Sequence, residues 1–237
     1  VGTFRCRTAS RATYLVGFGI AAMSAPVVVL ASASPGRLAV LRNAGVEPVV
    51  LVPSVDEDAV RVAHADASRS DIMIALASAK AEAVVRDQRD HPALHDAVVI
   101  GGDSMLLIDG ELQGKPHTRE ETLRRWTGQI GRTGELITGH AVLRVRGGKT
   151  VGSATGTASA TVTMGHPSAK ELAAYIDSGE PLEVAGAFTI DGLGGWFVDR
   201  IDGDPSCVVG LALPLVRRLL GELGVTVTDL WNRQPTQ

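Results

Sequence analysis

The sequence has little of what marks secreted, membrane-spanning or nucleic-acid-binding proteins. Its only cysteines, Cys6 and Cys207, lie far apart and outside any CxxC pattern, so neither a disulfide framework nor a zinc site is indicated. We therefore expect a reducing, cytoplasmic setting. The net charge is -3, the pI is near 6.1 and no basic stripe is present, so we expect no nucleic-acid or membrane partner.

The amino-terminal region differs from the remainder of the chain. An apolar run at residues 14–22 follows three arginines and superficially resembles a secretory signal, but it is too short to span a bilayer. Because Met23 stands just before the first predicted strand, we interpret residues 1–24 as a poorly ordered extension or the product of an upstream start site. The predicted folded domain is residues 25–227, and residues 228–237 are interpreted as a tail.

Aromatic residues are also scarce, at 4%, whereas Ala, Val, Leu and Gly are plentiful. This composition is typical of α/β proteins, whose buried strands are continuous aliphatic runs. Strands are predicted at residues 27–30, 47–52 and 97–101 and as a hairpin at 135–145 and 150–164, with helices starting at residues 35, 70, 118, 168 and 214.

The stretch from residue 98 to residue 116 carries the most chemistry. An apolar strand is predicted to end at Asp103 and Ser104, a turn follows at Asp109-Gly110, and Lys115 returns toward them. A carboxylate at the end of a buried strand is costly unless it is paired or binds a metal. We therefore expect a carboxylate, a hydroxyl and a lysine at one edge of the sheet, an arrangement suited to a metal-bound phosphate.

A serine-rich turn follows the first strand. Ser34 and Pro35 form a helix-start signal, and the free amides at a helix N-terminus can bind an anion together with Arg37. Alternatively, Ser34 is only a cap and Arg37 a solvated surface residue. The residues alone leave both interpretations open.

Two other charged features have ordinary explanations. The acidic run at residues 56–58 is interpreted as a solvated loop, although it could place one carboxylate beside a metal. Lys80 interrupts an alanine-rich helix, where we expect its ammonium group to reach water.

Eight short motifs occur in a fixed order between residues 27 and 223. Each is weak alone, but the ordered set is specific. They are Leu30-Ala-Ser-Ala-Ser-Pro-Gly-Arg37, Val55-Asp-Glu57, Lys80-Ala81, Gly102-Asp103-Ser104, Gly114-Lys115-Pro116, Tyr175 with Gly179-Glu180-Pro181, Ala185-Gly186-Ala187-Phe188, and Val209-Gly210-Leu211. Together they resemble the motifs of Maf proteins, the nucleoside triphosphate pyrophosphatases.

The resemblance implies an α/β fold of the Maf/ITPase type, with an elongated, two-lobed mixed β-sheet flanked by helices and a cleft between the lobes. The implied reaction is hydrolysis of a nucleoside triphosphate to a monophosphate and pyrophosphate with Mg²⁺ or Mn²⁺, which could remove non-standard nucleotides. A homodimer is also implied. On this basis Asp103 is the predicted catalytic residue, Asp103 and Glu57 are the predicted metal ligands, and the predicted substrate-binding residues are Ser32, Ser34, Arg37, Lys80, Ser104, Lys115 and Asp191.

The preferred base stays open. At Gly36, Ser104 and Asp191 the sequence matches neither the branch that resembles dTTP/UTP pyrophosphatases nor the one that resembles 7-methyl-GTP pyrophosphatases. Gly36 and Asp191 would make the base pocket roomier and more acidic.

Two other functions compete with the pyrophosphatase. One is a nucleotide-binding regulator of cell division with little turnover, and the other is a metal-dependent phosphatase that releases orthophosphate. The product formed from a nucleotide panel would distinguish all three.

Overall fold

The computed structural model describes residues 25–232 of the chain. They form a mixed α/β fold in which one seven-stranded sheet is flanked by helices, so the predicted fold class is confirmed. The strands are β1 Val27–Ala31, β2 Val49–Val50, β3 Asp96–Ile108, β4 Glu111–Gln113, β5 Thr133–Arg146, β6 Lys149–Met164 and β7 Val198–Gly203. The α-helices are α1 Pro35–Asn43, α2 Glu57–Ala63, α3 Arg69–Asp87, α4 Arg119–Gln129, α5 Ala169–Asp177, α6 Pro205–Val209 and α7 Leu213–Glu222.

The sheet has the strand order β2-β1-β3-β5-β6-β7, and β4 pairs with the distal part of β3. β1 runs parallel to β2 and β3, and the other pairs are antiparallel. The predicted hairpin corresponds to β5 and β6, which turn at Gly147 and Gly148 with positive φ at both glycines.

Both faces of the central strands are covered. Leu30 packs with Leu211 and Leu219 on one face, whereas Val29 and Ala77 belong to the core beneath α3 on the other. This double coverage explains why β1 reads as an uninterrupted aliphatic run.

Two predictions about these segments are wrong. β3 does not end near Asp103 but continues to Ile108, because β5 pairs with it through Gly101 and Gly102 to Leu107. The acidic run is not a solvated loop, since Asp56 caps α2 by accepting a hydrogen bond from the amide of Ala59.

The ends of the chain are partly outside this description. The extension predicted at residues 1–24 lies outside the described residues, as do residues 233–237. Within the predicted tail, Leu230 is buried and the amide of Asn232 donates to the carbonyl of Gly45. The domain limits stay predictions. Among the described helices, none is long and apolar enough to cross a membrane.

Helix α3 lies unusually close to the sheet. A Cβ at Gly101 would overlap the carbonyl oxygen of Ala77, and one at Gly139 would overlap the carbonyl of Met73. Both clashes are with helix backbone, which cannot rotate away. Glycine on β3 and β5 therefore sets how near α3 approaches.

We expect Gly101→Ala to lower the free energy of unfolding by about 2–3 kcal/mol, because α3 must move away from the sheet. Urea denaturation measures this change. Gly221→Ala is the matched control: it lies in helix α7 with nothing within 4 Å of the added methyl, and we expect a gain of up to ~1 kcal/mol. Equal losses in the two variants would contradict the packing argument.

Candidate functional site

The site lies along the part of β3 that has a paired strand on one side only. β1 pairs with β3 as far as Gly101, and β4 pairs with it only from Leu106 onward. In the described chain, residues 102–105 thus have β5 on one edge and no strand on the other. Asp103 faces α3 and Ser104 faces α1 and α6, because successive side chains of a strand point to opposite faces. This opening in the strand pairing brings groups from both faces beside one stretch of β3.

The first half of the site is a charge cluster beneath α3. The Lys80 ammonium contacts Asp103 Oδ1 and also lies 2.8 Å from Glu57 Oε1. Lys80 and Asp103 are buried, at 8% and 6% exposure, whereas Glu57 is half-buried. The expectation that the Lys80 ammonium reaches water is therefore wrong. Lys80 lies seven positions after Met73 and four after Leu76, so it shares the buried face of the helix with them. This spacing in the sequence could have predicted its burial.

The cluster carries more negative than positive charge. Two carboxylates meet one ammonium group, and Asp103 Oδ2 is buried without a hydrogen-bond partner within the described chain. Burial lowers the pKa of the Arg37 guanidinium, while the negative charges of Asp103 and Glu57 oppose that shift. The unpartnered Asp103 Oδ2 and the half-buried Glu57 carboxylate can nevertheless accommodate a further cation.

Glu57 and Asp103 fit a hard divalent cation in part. No group of three or more His, Cys, Asp or Glu side chains that could hold a metal occurs in residues 25–232. Mg²⁺, however, is commonly bound by one or two carboxylates, with phosphates and water completing its oxygen shell. The unpartnered Asp103 Oδ2 and the Glu57 carboxylate have the chemistry that this mode requires. Their role as metal ligands stays a prediction.

The second half of the site is centred on Arg37. Its Nε donates to the Gly210 carbonyl at 2.8 Å, Nη1 donates to Ser32 Oγ at 3.1 Å, and Nη2 donates to Ser104 Oγ at 3.1 Å. Arg37 is 9% exposed, so its interpretation as a solvated surface residue is wrong. Ser34 does cap α1, because its Oγ accepts from the Arg37 amide. An additional role of Ser34 in anion binding stays a prediction.

Ser32 is prepared to donate a hydrogen bond. Its Oγ accepts from the Ser34 amide and from Arg37 Nη1, both at 3.1 Å. These two bonds use its acceptor positions, and within the described chain its hydroxyl hydrogen has no protein acceptor. A ligand oxygen in the opening can receive that hydrogen.

Two predicted site residues lie outside these contacts. Lys115 is exposed, and its ionic contact among the described residues is with Glu183 at 3.8 Å rather than with Asp103. Asp191 is exposed beside α1, where Asp191 Oδ2 lies 3.8 Å from the position of a Cβ on Gly36. Their predicted substrate roles stay predictions.

Sequence reasoning missed two buried polar residues on β5. Thr138 contacts Ser104, and His140 Nε2 accepts from the Ala212 amide at 2.9 Å. Both lie inside an apolar strand pattern, where no motif distinguished them. Cys207 is buried as expected, and burial raises the pKa of its thiol to about 11.

His140 is held in its neutral form. Burial, and to a smaller extent the nearby Arg37 charge, lowers the pKa of His140 to about 4. Because Nε2 is an acceptor, the ring hydrogen is on Nδ1. The imidazole therefore acts as a fixed acceptor for the start of α7.

The fold and this cluster define a mixed α/β protein with a polar site that combines carboxylates with cationic donors. The family model described as Maf-like protein matches residues 27–223. The chain therefore belongs to the Maf family.

Curated relatives agree with this assignment. The chain is 58% identical over 206 residues to a protein of Nocardia farcinica (strain IFM 10152), covering 86% of this chain and 96% of the relative. It is 57% identical over 205 residues to one of Rhodococcus jostii (strain RHA1), covering 86% and 95%, respectively. Both relatives are named nucleoside triphosphate pyrophosphatase.

We expect the free energy of unfolding to fall as the pH drops from about 6.5 to about 4, because the unfolded chain takes up a proton on His140 that the folded chain does not. This residue would contribute up to about 3 kcal/mol of that loss. Urea denaturation across this range measures it. His140→Gln, which retains an acceptor, should flatten the slope, whereas the exposed His64→Gln should not. An unchanged slope in His140→Gln would contradict the assignment.

Removing the buried ammonium should destabilise the protein. We expect Lys80→Met to cost about 3 kcal/mol, because the two carboxylates then lie together without the ammonium group that contacts both. Thermal and urea unfolding measure the loss. Arg200→Met breaks the exposed pair with Asp202 and should cost less than ~1 kcal/mol. Adding Asp103→Asn to Lys80→Met should recover part of the loss; no recovery would argue against direct pairing.

Proposed function

We propose that this protein is a nucleoside triphosphate pyrophosphatase, which hydrolyses the bond between the α- and β-phosphates and releases a nucleoside monophosphate and pyrophosphate. Membership of the Maf family and the names of the close relatives support the activity. The observation that carries the assignment in this chain is the meeting of Glu57, Lys80 and Asp103 with Arg37 and Ser32 at the open edge of β3.

The hydrolysis needs an acceptor for a proton of the attacking water. In the proposed mechanism that acceptor is Asp103 Oδ2, the carboxylate oxygen without a partner in the described chain, while Lys80 holds Oδ1 in place. The water oxygen forms a bond to the α-phosphorus, and its proton moves to Asp103. The bond from that phosphorus to the bridging oxygen breaks, and pyrophosphate leaves with the electron pair.

The remaining site residues would stabilise the phosphate charges. Ser32 supplies its free hydroxyl hydrogen, and Arg37 and Lys80 supply positive charge that preorganises the site. Ser34, the α1 amides and Lys115 would contact the outer phosphates. A divalent cation held by Glu57 beside Asp103, whose Oδ2 then stays free to accept the proton, would neutralise phosphate charge and polarise the scissile bond when it is bound.

Several finer features belong to the same proposal. We expect Mg²⁺ or Mn²⁺ as the metal, a cytoplasmic location and a homodimer. Removal of non-standard nucleotides would be the physiological purpose. Asp191 would contact the base from beside α1, next to Gly36.

The assay incubates the protein with canonical and methylated nucleoside triphosphates and Mg²⁺, then separates pyrophosphate from orthophosphate. We expect pyrophosphate with the wild-type protein and a fall of about 100-fold or more with Asp103→Asn, because the water loses its proton acceptor. The control Asp90→Asn changes a fully exposed carboxylate and should retain the parent rate.

Each other outcome has a clear meaning. Orthophosphate as the first product would indicate a phosphatase, and binding without any product would indicate a nucleotide-dependent regulator. Pyrophosphate release near the parent rate in Asp103→Asn would remove Asp103 from the catalytic role.

A further inference from the structure

We propose that Thr138 is a positioning residue for anion binding, acting through Ser104 to aim the Arg37 guanidinium. Thr138 is fully buried on β5 opposite Ser104, so it acts on a bound nucleotide only through other side chains. The inference concerns the phosphate-binding half of the proposed pyrophosphatase site and rests on that function for its ligand.

The direction of each hydrogen bond follows from the atoms involved. Thr138 Oγ1 lies 3.0 Å from the Cys207 carbonyl, which can only accept, so the Thr138 hydrogen is used there. Ser104 Oγ lies 3.0 Å from Thr138 Oγ1, and with the Thr138 hydrogen already used, Ser104 must be the donor. Arg37 Nη2, which can only donate, then gives its hydrogen to Ser104 Oγ. The relay therefore runs from Arg37 through Ser104 and Thr138 to the Cys207 carbonyl.

This direction changes the expected role of Ser104. Its hydroxyl hydrogen points to Thr138 and is not available to a phosphate oxygen. Ser32, by contrast, accepts two hydrogen bonds and keeps its hydrogen for a ligand. Of the two serines that touch Arg37, Ser32 is the candidate phosphate donor and Ser104 the support for the cation.

Both ends of the relay are hydrogen-bonded to backbone carbonyls in or just after α6. One end reaches the Cys207 carbonyl through Thr138, and the other reaches the Gly210 carbonyl directly from Arg37 Nε. Gly102 and Gly210 bound the guanidinium, since a Cβ on either would lie 3.2 Å and 3.3 Å, respectively, from Nε. Arg37 is thus tied directly to Gly210, the residue after α6, and through Ser104 and Thr138 to Cys207 within α6. Glycine backbone lies on its sides, and together these contacts fix its direction before a ligand binds.

A double-mutant cycle tests the coupling. The variants are Thr138→Val, which keeps the side-chain shape but removes the hydroxyl, Ser104→Ala, and the pair combined. The readout is the Kd for the α,β-methylene analogues of the nucleotides in the activity panel, which bind without pyrophosphate release. We expect each single variant to weaken binding about tenfold and the double variant to weaken it about tenfold as well, because the relay fails as a unit.

Two further variants separate positioning from general damage to the fold. Thr138→Ser retains the hydroxyl and should recover most of the affinity lost in Thr138→Val. Thr163→Val makes the same substitution in another cross-strand threonine pair, where Thr133 Oγ1 and Thr163 Oγ1 are 3.0 Å apart, and should leave affinity at the parent value. Unfolding curves of all variants verify that each is folded.

Three results would overturn the proposal. Losses that multiply to about 100-fold in the double variant would show independent roles. Equal weakening by Thr138→Ser and Thr138→Val would show that shape rather than the hydroxyl matters, and analogue binding by none of the folded proteins would remove the anion role of Arg37. If the parent binds the analogues but releases no pyrophosphate from the nucleoside triphosphates themselves, the activity is refuted while the relay can still be tested.

Discussion

A buried ammonium group between two carboxylates joins three separate parts of the chain. Lys80 comes from the middle of α3, Asp103 from β3 and Glu57 from the first turn of α2. Because unpaired buried charges are costly, the three elements must adopt one relative arrangement. The glycines at positions 101 and 139 permit that arrangement by letting α3 approach the sheet closely.

The open edge of β3 brings opposite faces of one sheet into a single site. Asp103 and Ser104 are neighbours in sequence yet face different helices, and each recruits a different kind of partner. The face beneath α3 supplies carboxylates and one ammonium, whereas the other face supplies a guanidinium and hydroxyls. The break in strand pairing at residues 102–105 leaves both kinds of group beside one stretch of β3, as the proposed binding of a metal-bound polyphosphate requires.

Prediction from the sequence succeeded where the cause was local. The cap at Ser34, the capping box at Ser168 and the aliphatic strands all depend on residues a few positions apart, and each is present. Prediction failed at the acidic run and at β3. In the acidic run, the carboxylate of Asp56 caps helix α2. In β3, pairing with β5 continues past Gly101 and Gly102 to Leu107.

The sequence by itself determined the α/β class and, through its ordered motifs, the resemblance to the Maf family and the residues to examine. The tertiary structure decided which of those residues meet. Strand register and the rotation of α3 set the contacts of Lys80 with Asp103 and of Ser104 with Thr138, which are 23 and 34 positions apart in the chain. Such contacts arise only once the sheet and helices have packed, because no local preference encodes the distance between residues on different elements.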